Sequence, residues 1–330
     1  MLGRSRSLLV PSLLAWVASF AVGLLVGEEA AAAEDYPTKL IRLLVPYPPG
    51  GSSDVAARIV AAKMSESLGQ TVIVENKPGA SNIIAIRELL RAPKDGYTLL
   101  VCTNVAIINM EVYKTKPYSL GDIAPISPMM IVPYSFSVSN KVPATNIKEL
   151  ISHIKANPGK LNYGTTGVGS TPDILSRRLE SMWGLQMVGV PYQGSAPAVR
   201  DLVAGEIHLL LDPVITTMPL HKAGSLRSLG VTTEERLSGL PDVPTLREQG
   251  FPLDWGSWFG VCGSTGTPEP ILEKVNAAVV EAVKSTDFVG RMNSLGAVAA
   301  PMTRKEFSDF IKKEERDWAD MIRPLGIRLD

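Results

Sequence analysis

The sequence predicts an α/β chain of two lobes with a cleft between them. Three observations carry this. Strand-like and helix-like segments alternate in two successive blocks, the pattern of parallel sheets flanked by helices. Two apolar segments, residues 129–139 and 257–264, cross between the blocks. A helical tail then returns the chain to the first block.

In the first block, "LIRLLVPY" reads as a strand. "DVAARIVAAKMSESLG" has the spacing of an amphipathic helix, with Gly69 placed as its C-cap. "TVIVEN" is a strand, "NIIAIRELLRA" a helix, and "YTLLVCT" a strand after the Asp95-Gly96 turn. The second block opens with the helix "NIKELISHIKAN" and the strand "LNYGTT". It continues with "PDILSRRLESMWG" (helix), "QMVGVPY" (strand), "SAPAVRDLVAG" (helix), "IHLLLD" (strand), "TTMPLHKAG" (helix) and "LRSLGVTT" (strand). Helices over 270–284, 288–295 and 305–322 form the tail.

Composition narrows the function. The 330 residues are 45% hydrophobic, enough for a sizeable core, and 33 basic residues balance 33 acidic ones. No basic stripe or acidic tail is present, which argues against nucleic acid and membrane surfaces. The N-terminus differs: a basic "MLGRSRS", an apolar run, then small residues at Ala31 and Ala33. This reads as a secretory signal peptide over 1–33, the alternative being an uncleaved anchor helix. No cysteine lies near that cleavage point, so a lipid anchor is not expected. Cys102 and Cys262 make no disulfide framework, and two buried free thiols are the expectation.

Two strand-to-helix junctions stand out. "VPYPPGGSSD" carries paired glycines where ligands meet parallel sheets, at the carboxyl ends of strands. Gly50 and Gly51 would let the backbone approach a ligand. Ser52 or Ser53 would cap the helix, whose free N–H groups and dipole favour an anion. "NYGTTGVGSTPD" repeats the design. Gly164 and Gly169 have P-loop spacing, but Ser170 stands where the lysine must be, so a small-anion cradle fits and a nucleoside triphosphate does not. For both loops a plain capped turn is the competing reading, Ser170 with Asp173 forming a capping box. Catalytic motifs are missing: the three histidines are scattered, and no G-x-S-x-G elbow or H-E-x-x-H exists.

At these loops the chain resembles the periplasmic receptors of tripartite tricarboxylate transporters, the TctC or Bug family. The resemblance runs through "YPTKLIRLLVPYPPGGSSDVAAR", "LGQTVIVENKPGA", "DGYTLL", "NPGKLNYGTTGVGS", "VPYQGSAPAVRDLVAGEI", "LPDVPT" and "GTPEPILEKVN", in order, over nearly all of the chain after 33. It implies a two-domain periplasmic-binding-protein fold with mostly parallel sheets and two hinge strands. Residues 34–133 with 258–330 would form the first domain and 134–257 the second. It implies a small carboxylate ligand held by Tyr47, Gly50, Gly51, Ser52 and Asp54 from the first domain. From the second come Thr165, Gly169, Ser170, Thr171, Tyr192, Gly194 and Asp212, and the "PGA" stretch adds Ser81 and Asn82. No cofactor, metal or chemistry is implied. The expected protein is a periplasmic monomer that hands its ligand to membrane transporter subunits. A sensor for a signalling receptor is the alternative.

The chain departs from the family in two places. "SNIIA" replaces a glycine-rich run after "PGA", which would narrow that wall. Asp173 stands where the family favours histidine; it would oppose a dianion, welcome an amine, or serve only as a cap. The implied fold also puts Cys102 at the cleft end of the third strand and Cys262 several residues past the returning hinge. That places them at opposite ends of adjacent strands, beyond disulfide reach.

Overall fold

The computed structural model describes residues 35–251, 253 and 255–330, and the expected signal peptide lies outside them. Strand β1 (Ile41–Val45) pairs in parallel with β2 (Val72–Asn76) on one side and β3 (Thr98–Thr103) on the other. Helix α1 (Ser52–Leu68) follows β1 and buries Ala56, Ala57, Val60, Ala61 and Met64. Gly69 ends it at φ 68° with its N–H on the Ser65 carbonyl, as a left-handed C-cap does. Helix α2 (Ile83–Arg91) returns from β2 to β3.

Next comes a helix the sequence did not suggest, α3 (Val105–Val112). "VAIINMEV" is apolar on nearly every side, and Val105 through Asn109 are all buried, so no amphipathic period marks it.

Strand β4 (Ile123–Val138) joins the lobes. Its 123–133 half is antiparallel to β9 (Gly256–Ser264), and its Tyr134–Val138 half is antiparallel to β7 (Leu209–Pro213) and β8 (Arg227–Val231). The second lobe adds α4 (Ile147–Ala156), β5 (Asn162–Thr165), α5 (Thr171–Trp183), β6 (Val188–Pro191), α6 (Ser195–Ala204) and α7 (Val214–Lys222). There β5 pairs in parallel with β6 and β7. The chain returns along β9 and ends in α8 (Glu269–Lys284), α9 (Thr286–Ser294), the short β10 (Val298–Ala299) and α10 (Arg304–Ile322). Thr303 and Glu306 start α10 with a reciprocal capping box. The full strand order is β2-β1-β3-β9-β4-β7-β5-β6, with β8 and β10 also on β4.

The cysteine expectation fails. Cys102 and Cys262 form a disulfide, with Cα atoms 5.9 Å apart. The error lay in register. The end of β3 does not meet the start of β9: Thr103 faces Phe259, Cys102 faces Gly260 and Leu100 faces Cys262. The cysteines are thus a diagonal pair two residues apart along the ladder, within bridging reach.

Candidate functional site

Both strand-to-helix loops are built to one plan. In the first, Gly50 has a left-handed φ of 86°, and its N–H donates to Asp54 Oδ2 at 2.9 Å. Arg58 holds the same carboxylate through Nε and Nη2, each at 2.9 Å, and Asn76 Nδ2 adds a bond at 2.9 Å. Burial alone would raise the Asp54 pKa, but these bonds from Arg58, Gly50 and Asn76 hold it below the ordinary value. In the second, Gly169 has φ 74°, its N–H donates to Asp173 Oδ2 at 2.9 Å, and Arg177 Nε reaches Asp173 Oδ1 at 3.0 Å. The shared spacing is glycine, aspartate four residues on, arginine four further. Each aspartate is a buried brace for its loop. Among the three readings open for Asp173, the structure shows the local one: its oxygens are bonded to Gly169 and Arg177.

The serine caps differ from expectation. Helix α1 starts at Ser52 with Gly51 as N-cap, and neither Ser52 nor Ser53 caps it. Ser170 is the N-cap of α5 but makes no side-chain cap bond, and the Asp173 side chain accepts from the Gly169 N–H. The Ser170 hydroxyl is buried and has no partner among the described residues. At each helix start the first amides, those of Ser52 and Ser53 and that of Thr171, lack acceptors within the helix.

Around the first loop, Asn82 Nδ2 lies 3.1 Å from the Tyr47 hydroxyl and 3.2 Å from Thr103 Oγ1. Asn82 belongs to a turn in which Ala80, Ser81 and Asn82 all have positive φ (46°, 49° and 71°). Asn109 on α3 clamps this turn through a 2.9 Å bond to the Ser81 carbonyl.

In the second lobe, Thr165 is buried and its hydroxyl lies 3.3 Å from the Gly167 carbonyl. Gly194 is the N-cap of α6 at φ 109°. The Tyr192 hydroxyl donates to Asp201 at 2.7 Å. Asp212 is fully buried and accepts from Ser195 Oγ at 2.8 Å and from Thr216 Oγ1. Burial pushes its pKa up to about 7, against the opposing effect of Thr216 and Ser195. It ties the start of α6 to the first turn of α7.

The lobes meet at these loops. Asn104, just after β3, donates through Nδ2 to Thr171 Oγ1 at 3.1 Å. Near the chain end, Leu329 bonds the main chain of Val112 and Lys114 and lies against Gly169. Asn104 was not singled out in the sequence, although its place at the carboxyl end of a parallel strand is a usable signal. The cations bonded in the loops, Arg58 and Arg177, are both committed to aspartates. What remains is a set of neutral donors from two lobes, suited to a small ligand rich in acceptors.

Known proteins share this architecture. The model for the tripartite tricarboxylate transporter family receptor matches residues 56–327. BugT of Bordetella pertussis is 32% identical over 302 residues, covering 90% of this chain and 93% of that protein. An adipate-bound structure from R. palustris is 33% identical with a TM-score of 0.84, covering 89% of this chain and all (100%) of that one. Malate-bound MatC from Rhodopseudomonas palustris is 28% identical with a TM-score of 0.81, covering 87% and 100%. No helix among the described residues is long and apolar enough to cross a membrane.

Proposed function

Because the chain belongs to the tripartite tricarboxylate transporter receptor family of periplasmic solute-binding proteins, we propose that it captures a small organic carboxylate between its lobes and delivers it to a membrane transporter. The fold is the two-domain periplasmic-binding-protein fold, with β4 and β9 as hinge strands. The observation that carries the reading is the pair of matched loops, each a left-handed glycine braced by an aspartate at a helix start, one from each lobe. Such helix starts favour anions through free N–H groups and the helix dipole.

In this reading the ligand meets the main chain at Gly51, Ser52 and Thr171, with Tyr47, Ser81 and the Ser170 hydroxyl beside it. Asp54, Asn82 and Asp212 act behind that surface, holding the loops. A charge-assisted hydrogen bond contributes about 1.5–3 kcal/mol. Two or three of them sum to about 3–9 kcal/mol before the costs of closure, so micromolar binding, about −8 kcal/mol, sits at the upper end of that range. Residues 34–133 and 258–330 would move as one body and 134–257 as the other. Residues 1–33 would export the protein as a cleaved signal peptide. The bound adipate and malate of the two related structures support a dicarboxylate as first candidate. Native mass spectrometry of protein purified without denaturation tests this, alongside calorimetric titration with malate and adipate. A retained neutral or cationic solute, with no response to either acid, would overturn the reading.

A further inference from the structure

Four buried polar groups meet where the lobes join. Tyr134 lies on β4 at the point where its pairing passes from β9 to β7 and β8. Its hydroxyl is 2.6 Å from Ser257 Oγ on β9. The Ser257 hydroxyl lies 3.4 Å from Asn104 Oδ1 as donor, and Asn104 Nδ2 donates to Thr171 Oγ1 at 3.1 Å.

The donor count gives the set a direction. A hydroxyl has one hydrogen, and an amide has separate donor and acceptor ends. With the Ser257 hydrogen on Asn104, Tyr134 must donate the short bond to Ser257. The Thr171 oxygen then accepts from Asn104. The three bonds run in one direction through an open relay, from Tyr134 to Ser257 to Asn104 to Thr171. Relative exposures of 1% for Tyr134, 1% for Asn104, 2% for Thr171 and 6% for Ser257 leave water little access. Asn104 comes from the first lobe, Thr171 from the second, and Tyr134 and Ser257 from the two hinge strands.

We propose that this relay is a closure latch, in which Asn104, Tyr134 and Ser257 are positioning residues that hold Thr171 and its loop against the first lobe. The proposal rests on the reading of the cleft as an interlobe capture site, but the latch itself needs no ligand. Opening the lobes separates Asn104 from Thr171 and breaks the relay at one bond, whose two ends then turn to water. The net worth of one such neutral bond corresponds to a bias of about two- to tenfold toward closure. A ligand that requires the closed form inherits that factor in its apparent affinity. The Thr171 hydroxyl oxygen accepts within the relay, while its main-chain N–H stays free for ligand.

Ser257→Ala and Asn104→Ala break the relay at groups outside the proposed ligand contacts. Small-angle X-ray scattering of the ligand-free full chain should show a larger radius of gyration for both variants than for the parent. Titration with malate and adipate should show whichever acid the parent binds weakened by about two- to tenfold. The double variant should be no weaker than the weaker single one, because one relay is lost only once. Ligand-free scattering curves that superimpose on the parent's for both variants would overturn the latch. If Asn104→Ala fails to fold, Ser257→Ala, which removes a single hydroxyl, decides. A parent that binds neither acid counts against the carboxylate reading, while the scattering comparison still decides the latch.

Discussion

Gly50 and Gly51 are neighbours with different jobs. Gly50 needs its glycine, because φ 86° is costly for any residue with a Cβ. Gly51 does not: its φ is −76°, and a Cβ there would meet only the Pro48 carbonyl at an ordinary 3.8 Å. Backbone strain is therefore no reason for a glycine at this position. Gly50→Val should cost about 1–2 kcal/mol of stability. Gly51→Val should melt within about 0.5 kcal/mol of the parent, yet lose carboxylate binding, since its branched side chain would stand over the first amides of α1. Denaturation curves and calorimetry with malate and adipate separate the two effects, and unchanged affinity in Gly51→Val would remove the loop from the site. Asp212 gives a second expectation at this scale. Its folded pKa of about 7 lies above the unfolded value near 4. Between those values the folded state holds more protons, so Asp212 makes stability fall as pH rises from about 4 to about 7. Urea unfolding across that range should show a shallower fall for Asp212→Asn than for the parent.

The helix and strand elements were legible wherever they alternate apolar and polar faces. Gly69 was readable as the end of α1 because a helix that stops needs a left-handed residue, and glycine supplies it cheaply. Helix α3 was not, since a segment buried all round has no periodic stripe. The loops were recognisable as special from their glycines, but their bracing was not. Asp54 and Asp173 looked like ligands or caps, because nothing in a linear spacing shows that Gly50 and Gly169 turn their N–H groups inward. The turn at Ala80, Ser81 and Asn82 was also unreadable, for left-handed φ at three successive non-glycine residues runs against local preference. Ala80 makes the case testable. Its side chain appears in no hydrogen bond, and a left-handed alanine costs about 1–2 kcal/mol while glycine loses about 0.5–1 kcal/mol in chain entropy. Ala80→Gly should therefore stabilise the protein by about 0.5–1 kcal/mol, read as a rise in the urea midpoint. A fall would mean that the turn is not strained and that Asn109 clamps nothing that needs clamping.

At the scale of the whole molecule, the disulfide decides how the lobes are tied. Cys102 and Cys262 are separated by 160 positions, and the loop they close contains all of β4 through β8 and hence the entire second lobe. The second lobe is thereby an excursion from a stapled base. The staple joins β3, which leads into Asn104, to β9, which carries Ser257, so it fixes the spacing of two members of the buried relay. A disulfide also fits an oxidising compartment, in line with export. Cross-linking a loop this long removes much of the unfolded chain's freedom, and loss of a native disulfide commonly costs about 2–5 kcal/mol. Cys102→Ala with Cys262→Ala should lower stability by that amount in urea, and should also raise the denaturant m-value, because the unstapled chain exposes more surface. Thiol titration of the parent in denaturant without reductant should find no free thiol. Two titratable thiols in protein recovered from the periplasm would return the cysteines to the free state expected from the sequence, and would leave the hinge strands held by hydrogen bonds and packing alone.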